Sequence, residues 1–127
     1  MPARIKIFFD GGCRPNPGQM EIAVVARGQT HMHRDLGEGS SMTAEWLALI
    51  AAERLARALQ LGRGDYVLLG DAASVIAQAS EAQRCRGSAA GHRAALIELA
   101  GGTLPPIRYV KRTQNLAGIA LARLHER

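Results

Sequence analysis

The sequence predicts an α/β fold: a mixed five-stranded sheet with helices on both faces. Strand-like segments gather at the start of the chain, and helical and extended segments alternate after them. One segment, Tyr66 to Leu69, is apolar throughout, as expected of a strand covered on both sides. At 127 residues, with 47% hydrophobic and 21% charged side chains, residues 1–127 are expected to form a single domain with a substantial core.

Ile5 to Phe9 reads as the first strand, closed by Asp10 and a turn built from Gly11, Gly12, Pro15, Pro17 and Gly18. Glu21 to Arg27 and Thr30 to Leu36 read as a hairpin around Gly28-Gln29, with glycine leading as a II′ turn prefers. Thr43 is expected to cap a helix running to about Leu61. Trp46, Leu49, Ile50, Leu55 and Leu59 supply its helical spacing and Gly62 its stop. Tyr66 to Leu69 is the central strand. Ala72 to Ala79 and His92 to Ala100 read as helices, Ile107 to Val110 as the last strand and Gln114 to His125 as the last helix. Ser80 to Ala90 is the most loop-like internal stretch.

Sixteen basic residues, fourteen of them Arg, stand against eleven acidic ones, a net charge of +5 that suits a polyanionic partner. A solvated face is the competing reading for much of that charge. No apolar run approaches the ~18 residues of a membrane span, and no signal-peptide pattern opens the chain. Cys13 and Cys85 stand alone, so free thiols in a reducing, cytoplasmic setting are expected.

Three carboxylates are placed to meet. Asp10 ends the first strand, and Asp71 follows the Val67-Leu68-Leu69-Gly70 strand beside it. Glu45 lies in the first turn of the long helix, on the inward face shared with Leu49 and Ala52. Singly, Glu45 is explained by the helix N-terminus and Asp71 by capping of the next helix. Together at one sheet edge they need a cation, because gathering like charges is costly. Mg²⁺, a hard ion that takes carboxylate oxygen, fits such a set.

In these residues the chain resembles the ribonuclease H family. The resemblance covers nearly the whole length: Asp10-Gly11-Gly12-Cys13 and Asn16-Pro17-Gly18, Ala44-Glu45, Gly70-Asp71, Val110-Lys111-Arg112, then Asn115 leading into Ala120-Leu121-Ala122. It implies cleavage of the RNA strand of RNA–DNA hybrids, with Asp10, Glu45 and Asp71 holding one or two Mg²⁺ or Mn²⁺ ions. It also implies nucleic-acid contacts by Gly11, Gly12, Cys13, Asn16, Thr43, Lys111, Arg112 and Asn115. Ser40 and Ser41 offer hydroxyls for a phosphate, or serve only as caps. Arg84 and Arg86 read either as a reduced basic handle or as a solvated loop.

The pattern breaks at one place. The family's fourth carboxylate falls, counting from Asn115, at Ile119. The only acid of that helix, Glu126, lies about 10 Å further along the axis. The loop Lys111-Arg112-Thr113-Gln114 also lacks the histidine of many relatives, and Ala72 stands where many have a polar side chain. His125 reads as a cation suited to a helix C-terminus. Either a slowed, metal-hungry nuclease or a catalytically silent nucleic-acid-binding module is expected. A nucleotide cradle at Gly11-Gly12 is disfavoured, since Pro15 and Pro17 lead to a strand instead of a helix. His31 and His33, two apart on a strand, lack an evident third ligand for zinc.

Overall fold

The computed structural model describes residues 3–81 and 85–125. Its elements are β1 (Ile5–Cys13), β2 (Gly18–Ala26), β3 (Gln29–His33), β4 (Glu38–Gly39), α1 (Ser41–Ala58), β5 (Tyr66–Gly70), α2 (Ala73–Ala79), α3 (Ser88–Leu99), β6 (Ile107–Tyr109) and α4 (Leu116–Leu124). The sheet order is β3-β2-β1-β5-β6, with β4 added as a two-residue sixth strand on β2. β1 to β3 are antiparallel, and β5 and β6 run parallel to β1.

Alternation along β1 assigns its two sides. Ile7 and Phe9 join Trp46, Leu49, Leu68, Val75 and Leu96 in the main core under α1, α2 and α3. Phe8 turns to the other side, where Ala23 and Val25 meet Ala117 and Leu121 of α4. Helices thus cover both faces, as the apolar central strand implies. A buried network ties α1 to β5: Tyr66 Oη donates to Glu53 Oε1 at 2.6 Å, and Arg57 Nε lies 3.0 Å from Glu53 Oε2. That second approach is an ion pair too poorly angled to satisfy Oε2 as a hydrogen bond. Burial, then the Glu53 carboxyl, pushes the Tyr66 phenol up to about 12.

Several boundaries move, each for a local reason. β1 continues through Asp10 to Cys13, because Gly11, Gly12 and Cys13 pair with Ile22, Glu21 and Met20. The turn therefore falls after Cys13. The β2–β3 loop is Arg27-Gly28, not Gly28-Gln29. Both residues have positive φ, 52° and 76°, the I′ arrangement whose twist matches the flanking strands. Ser40, not Thr43, caps α1: its Oγ accepts from Thr43 N at 3.1 Å. Glu45 consequently sits past the first turn. α1 ends at Ala58, and Gln60 adopts the positive φ expected of Gly62. α3 begins four residues before His92, at Ser88, behind Gly87 at φ 60°. α4 starts at Leu116 after a single 3₁₀ turn over Arg112–Gln114.

Candidate active site

Asp10, Glu45 and Asp71 line one cleft of about 630 Å³, together with Gly11, Gly12, Cys13, Arg112 and Ile119. Asp10 is on the α4 side of β1. Helix α4 reaches it at Gly118, where an added Cβ would lie 3.4 Å from Asp10 Oδ2. Gly11, one residue on, faces α1, and any side chain there would overlap the Ala44 carbonyl. That close approach lets the Gly11 N–H donate to Glu45 Oε1 at 2.5 Å and brings the α1 carboxyl over the strand.

Asp71 is held differently. Its carboxylate does not cap α2; Asn115 Nδ2 donates to Asp71 Oδ1 at 2.6 Å. The same amide nitrogen donates to Phe9 O at 3.0 Å, and Asn115 Oδ1 accepts from Ala117 N at 3.1 Å. Asn115 is 0% exposed. Its expected contact with nucleic acid is therefore corrected: with no surface to offer, it links α4, β1 and the end of β5.

The three acids feel one another. Burial first, then the Asp71 charge, raises Asp10 to about 6, against a hydrogen bond from Glu45 and the nearby Arg112 cation. Burial, then the Asp10 charge, raises Glu45 to about 9, with the Gly11 N–H opposing. Without a cation, both carboxyls are thus harder to ionise than ordinary ones. Among the described residues, no group of three or more His, Cys, Asp or Glu side chains stands arranged to hold a metal ion. The donor chemistry still fits Mg²⁺ or Mn²⁺: hard carboxylate oxygens lining one cleft, with the Asp10 and Glu45 carboxyls destabilised as anions.

The other expected contacts divide. Gly11 and Gly12 border the cleft, and so does the Cys13 position, although the Cys13 side chain is buried. Arg112 is exposed at the rim, whereas exposed Lys111 lies just outside the lining. Asn16 is exposed, with Oδ1 accepting from Ser41 N at 3.1 Å and from Cys13 Sγ at 3.4 Å. Thr43 is taken up in the cap of α1 and does not line the cleft; Ser41 does. Arg86 is exposed, and Arg84 lies outside the described residues. His31 and His33 both border a groove against α1, beside Leu36 and Leu47.

Among the lining residues to which the sequence analysis gave no site role are Arg14, Glu21 of β2 and His125 after α4. For Glu21 the available signal was an acid inside the apolar run Met20 to Ala26, which the strand register sets opposite Gly12.

No family model and no curated protein matches the sequence. Solved structures do. RNase H1 from the halophilic archaeon Halobacterium salinarum NRC-1 is 28% identical, with a TM-score of 0.78 over 95% of this chain and 99% of that one. The N-terminal RNase H domain of a Mycobacterium tuberculosis protein is 23% identical, with a TM-score of 0.75 over 98% and 100%. LC11-RNase H1, isolated from compost by a metagenomic approach, was crystallised with an RNA/DNA hybrid. It is 24% identical, with a TM-score of 0.76 over 89% of each chain.

Proposed function

Since this chain is a ribonuclease H-like protein, we propose that it is a metal-dependent endonuclease that hydrolyses the RNA strand of RNA–DNA hybrids, slowed by Ile119. The carrying observation is the meeting of Asp10, Glu45 and Asp71, from β1, α1 and the end of β5, in one cleft. A neighbour of the same fold crystallised with an RNA/DNA hybrid supports the substrate class. The two free thiols, Cys13 and Cys85, accord with a cytoplasmic setting. No helix among the described residues is long and apolar enough to cross a membrane.

Asp10, Glu45 and Asp71 would hold Mg²⁺ or Mn²⁺, one or two ions, which supply positive charge to the phosphate and an activated water. The chain's own residues do the rest. Asn115 keeps Asp71 turned towards Asp10, and the Gly11 N–H fixes Glu45. Arg112 adds positive charge at the rim, and Lys111 follows the backbone of the bound strand. Half-buried Gly12, with open space where a side chain would stand, lets an RNA strand approach closely enough for its 2′-hydroxyl to be read. Hydrolysis leaves 5′-phosphate and 3′-hydroxyl ends.

Ile119 in the cleft wall, with no three metal-ligating side chains arranged to hold an ion among the described residues, favours a second reading: a module of the same fold that binds hybrid without cutting it. Cleavage of a labelled hybrid in Mg²⁺ and in Mn²⁺ separates them. Cutting in either metal supports the nuclease. Salt-sensitive binding with no cutting in both selects the silent module.

A further inference from the structure

His125 Nε2 lies 2.7 and 2.9 Å from the two carboxylate oxygens of Glu21. Both residues line the cleft, His125 about 9 Å further along α4 than Ile119. The register Asp10↔Ala23 and Gly12↔Glu21 sets Glu21 on the Asp10 side of the sheet, diagonal to it. Gly12 puts no side chain between them. Glu21 is only 8% exposed, in a strand whose neighbours are apolar. An apolar residue would suit that position better unless the carboxylate has a task.

A tie between α4 and the sheet is a weak account of that task. Asn115 and the packing of Ala117 and Leu121 on Ala23 and Val25 already hold the helix. We propose that His125, oriented by Glu21, is the catalytic base of the cleft; this rests on the hybrid-nuclease reading. A carboxylate only accepts, so Nε2 donates to Glu21, and the neutral ring in that tautomer offers its lone pair at Nδ1. In the step, an O–H bond of the attacking water breaks and its proton passes to Nδ1. The new P–O bond forms from that electron pair, the P–O3′ bond breaks, and the 3′ oxygen takes a proton from solvent. The imidazolium then returns its proton to solvent. Glu21 is a positioning residue, the orienting member that such pairs use. The charged groups sharing the cleft with His125 are Asp10, Arg14, Glu21, Glu45, Asp71 and Arg112.

The test follows hybrid cleavage from pH 5.5 to 9 with native protein, His125→Gln, His125→Ala and Glu21→Gln, alongside thermal melts. His125→Gln keeps a donor for Glu21 and should hold its melting temperature while losing roughly tenfold or more in rate. Added imidazole should restore part of the rate of His125→Ala, and Glu21→Gln should fall between. The proposal is overturned if His125→Gln cuts at the native rate, or if His125→Ala is slow with an unchanged pH profile and no imidazole rescue. Native protein that binds hybrid yet cuts in neither metal overturns the nuclease reading itself, and the base with it.

Discussion

Asn115 Nδ2 stands 2.6 Å from Asp71 Oδ1 and 3.0 Å from the Phe9 carbonyl, so one buried amide joins the first residue after β5 to the strand that carries Asp10. Its oxygen caps α4 at Ala117. Asn115→Ala leaves the Phe9 carbonyl without its side-chain donor and α4 without its cap. A loss of about 2–4 kcal/mol in chemical denaturation is expected. Asn115→Asp retains the cap but turns an acceptor towards Phe9 O and Asp71, and should weaken Mn²⁺ binding in a calorimetric titration.

Glu45 and Asp10 impose a pH slope on the metal-free protein. Both have folded values above their unfolded ones, about 9 against 4.5 and about 6 against 3.8. The native state then binds more protons than the unfolded chain, and stability falls as pH rises. The Asp10 part is complete near pH 6, and the Glu45 part continues to about pH 9. Glu45→Gln, whose carbonyl still accepts from Gly11, should flatten the slope and gain at least about 1 kcal/mol at pH 8 without metal. Denaturation curves at pH 5 and pH 8 that move in parallel for native protein and variant would refute this.

Gly11 and Gly12 are adjacent but should respond oppositely to alanine. A Cβ on Gly11 overlaps the Ala44 carbonyl and comes within 2.9 Å of Glu45 N, whereas one on Gly12 meets nothing within 4 Å. Gly11→Ala is expected to cost at least ~2 kcal/mol, because two backbones must part. Gly12→Ala should stay within about 0.5 kcal/mol. Thermal melts of the two variants make the comparison.

Ile119→Asp adds a carboxylate to the wall of the cleft that holds Asp10. Hybrid cleavage should then reach half its maximal rate at a divalent-ion concentration lower by about tenfold, since another anion favours cation binding. An unchanged metal titration would show that Ile119 is not the defect.

Arg112 and Lys111 are exposed beside the cleft. Replacing either by alanine should weaken hybrid binding and reduce the slope of log affinity against log salt by about 1. A slope equal to that of native protein would remove the side chain from the interface.

Much of the fold was legible because its signals are local. The apolar run at Tyr66 to Leu69 marked a central strand, and the spacing of Trp46, Leu49 and Ile50 marked α1. The errors fell at boundaries, where pairing partners decide. β1 runs on to Cys13 because β2 supplies partners as far as Met20, and Ser40 displaces Thr43 as the cap of α1. Asn115 was misjudged because its role was taken from the resemblance alone, whereas its burial arises from packing of α4 on β1.

The sequence by itself determined the main succession of strands and helices and put Asp10 on β1, Glu45 near the start of α1 and Asp71 just after β5. Periodicity, turn residues and spacing are short-range properties, readable along one stretch of chain. Only the tertiary structure decided that Asn115 is an interior link, that the Gly11 backbone holds Glu45, and that Glu21 meets His125 across 104 residues of sequence. Those pairings depend on strand register and on how closely a helix can approach the sheet, and both emerge only when distant segments pack against one another.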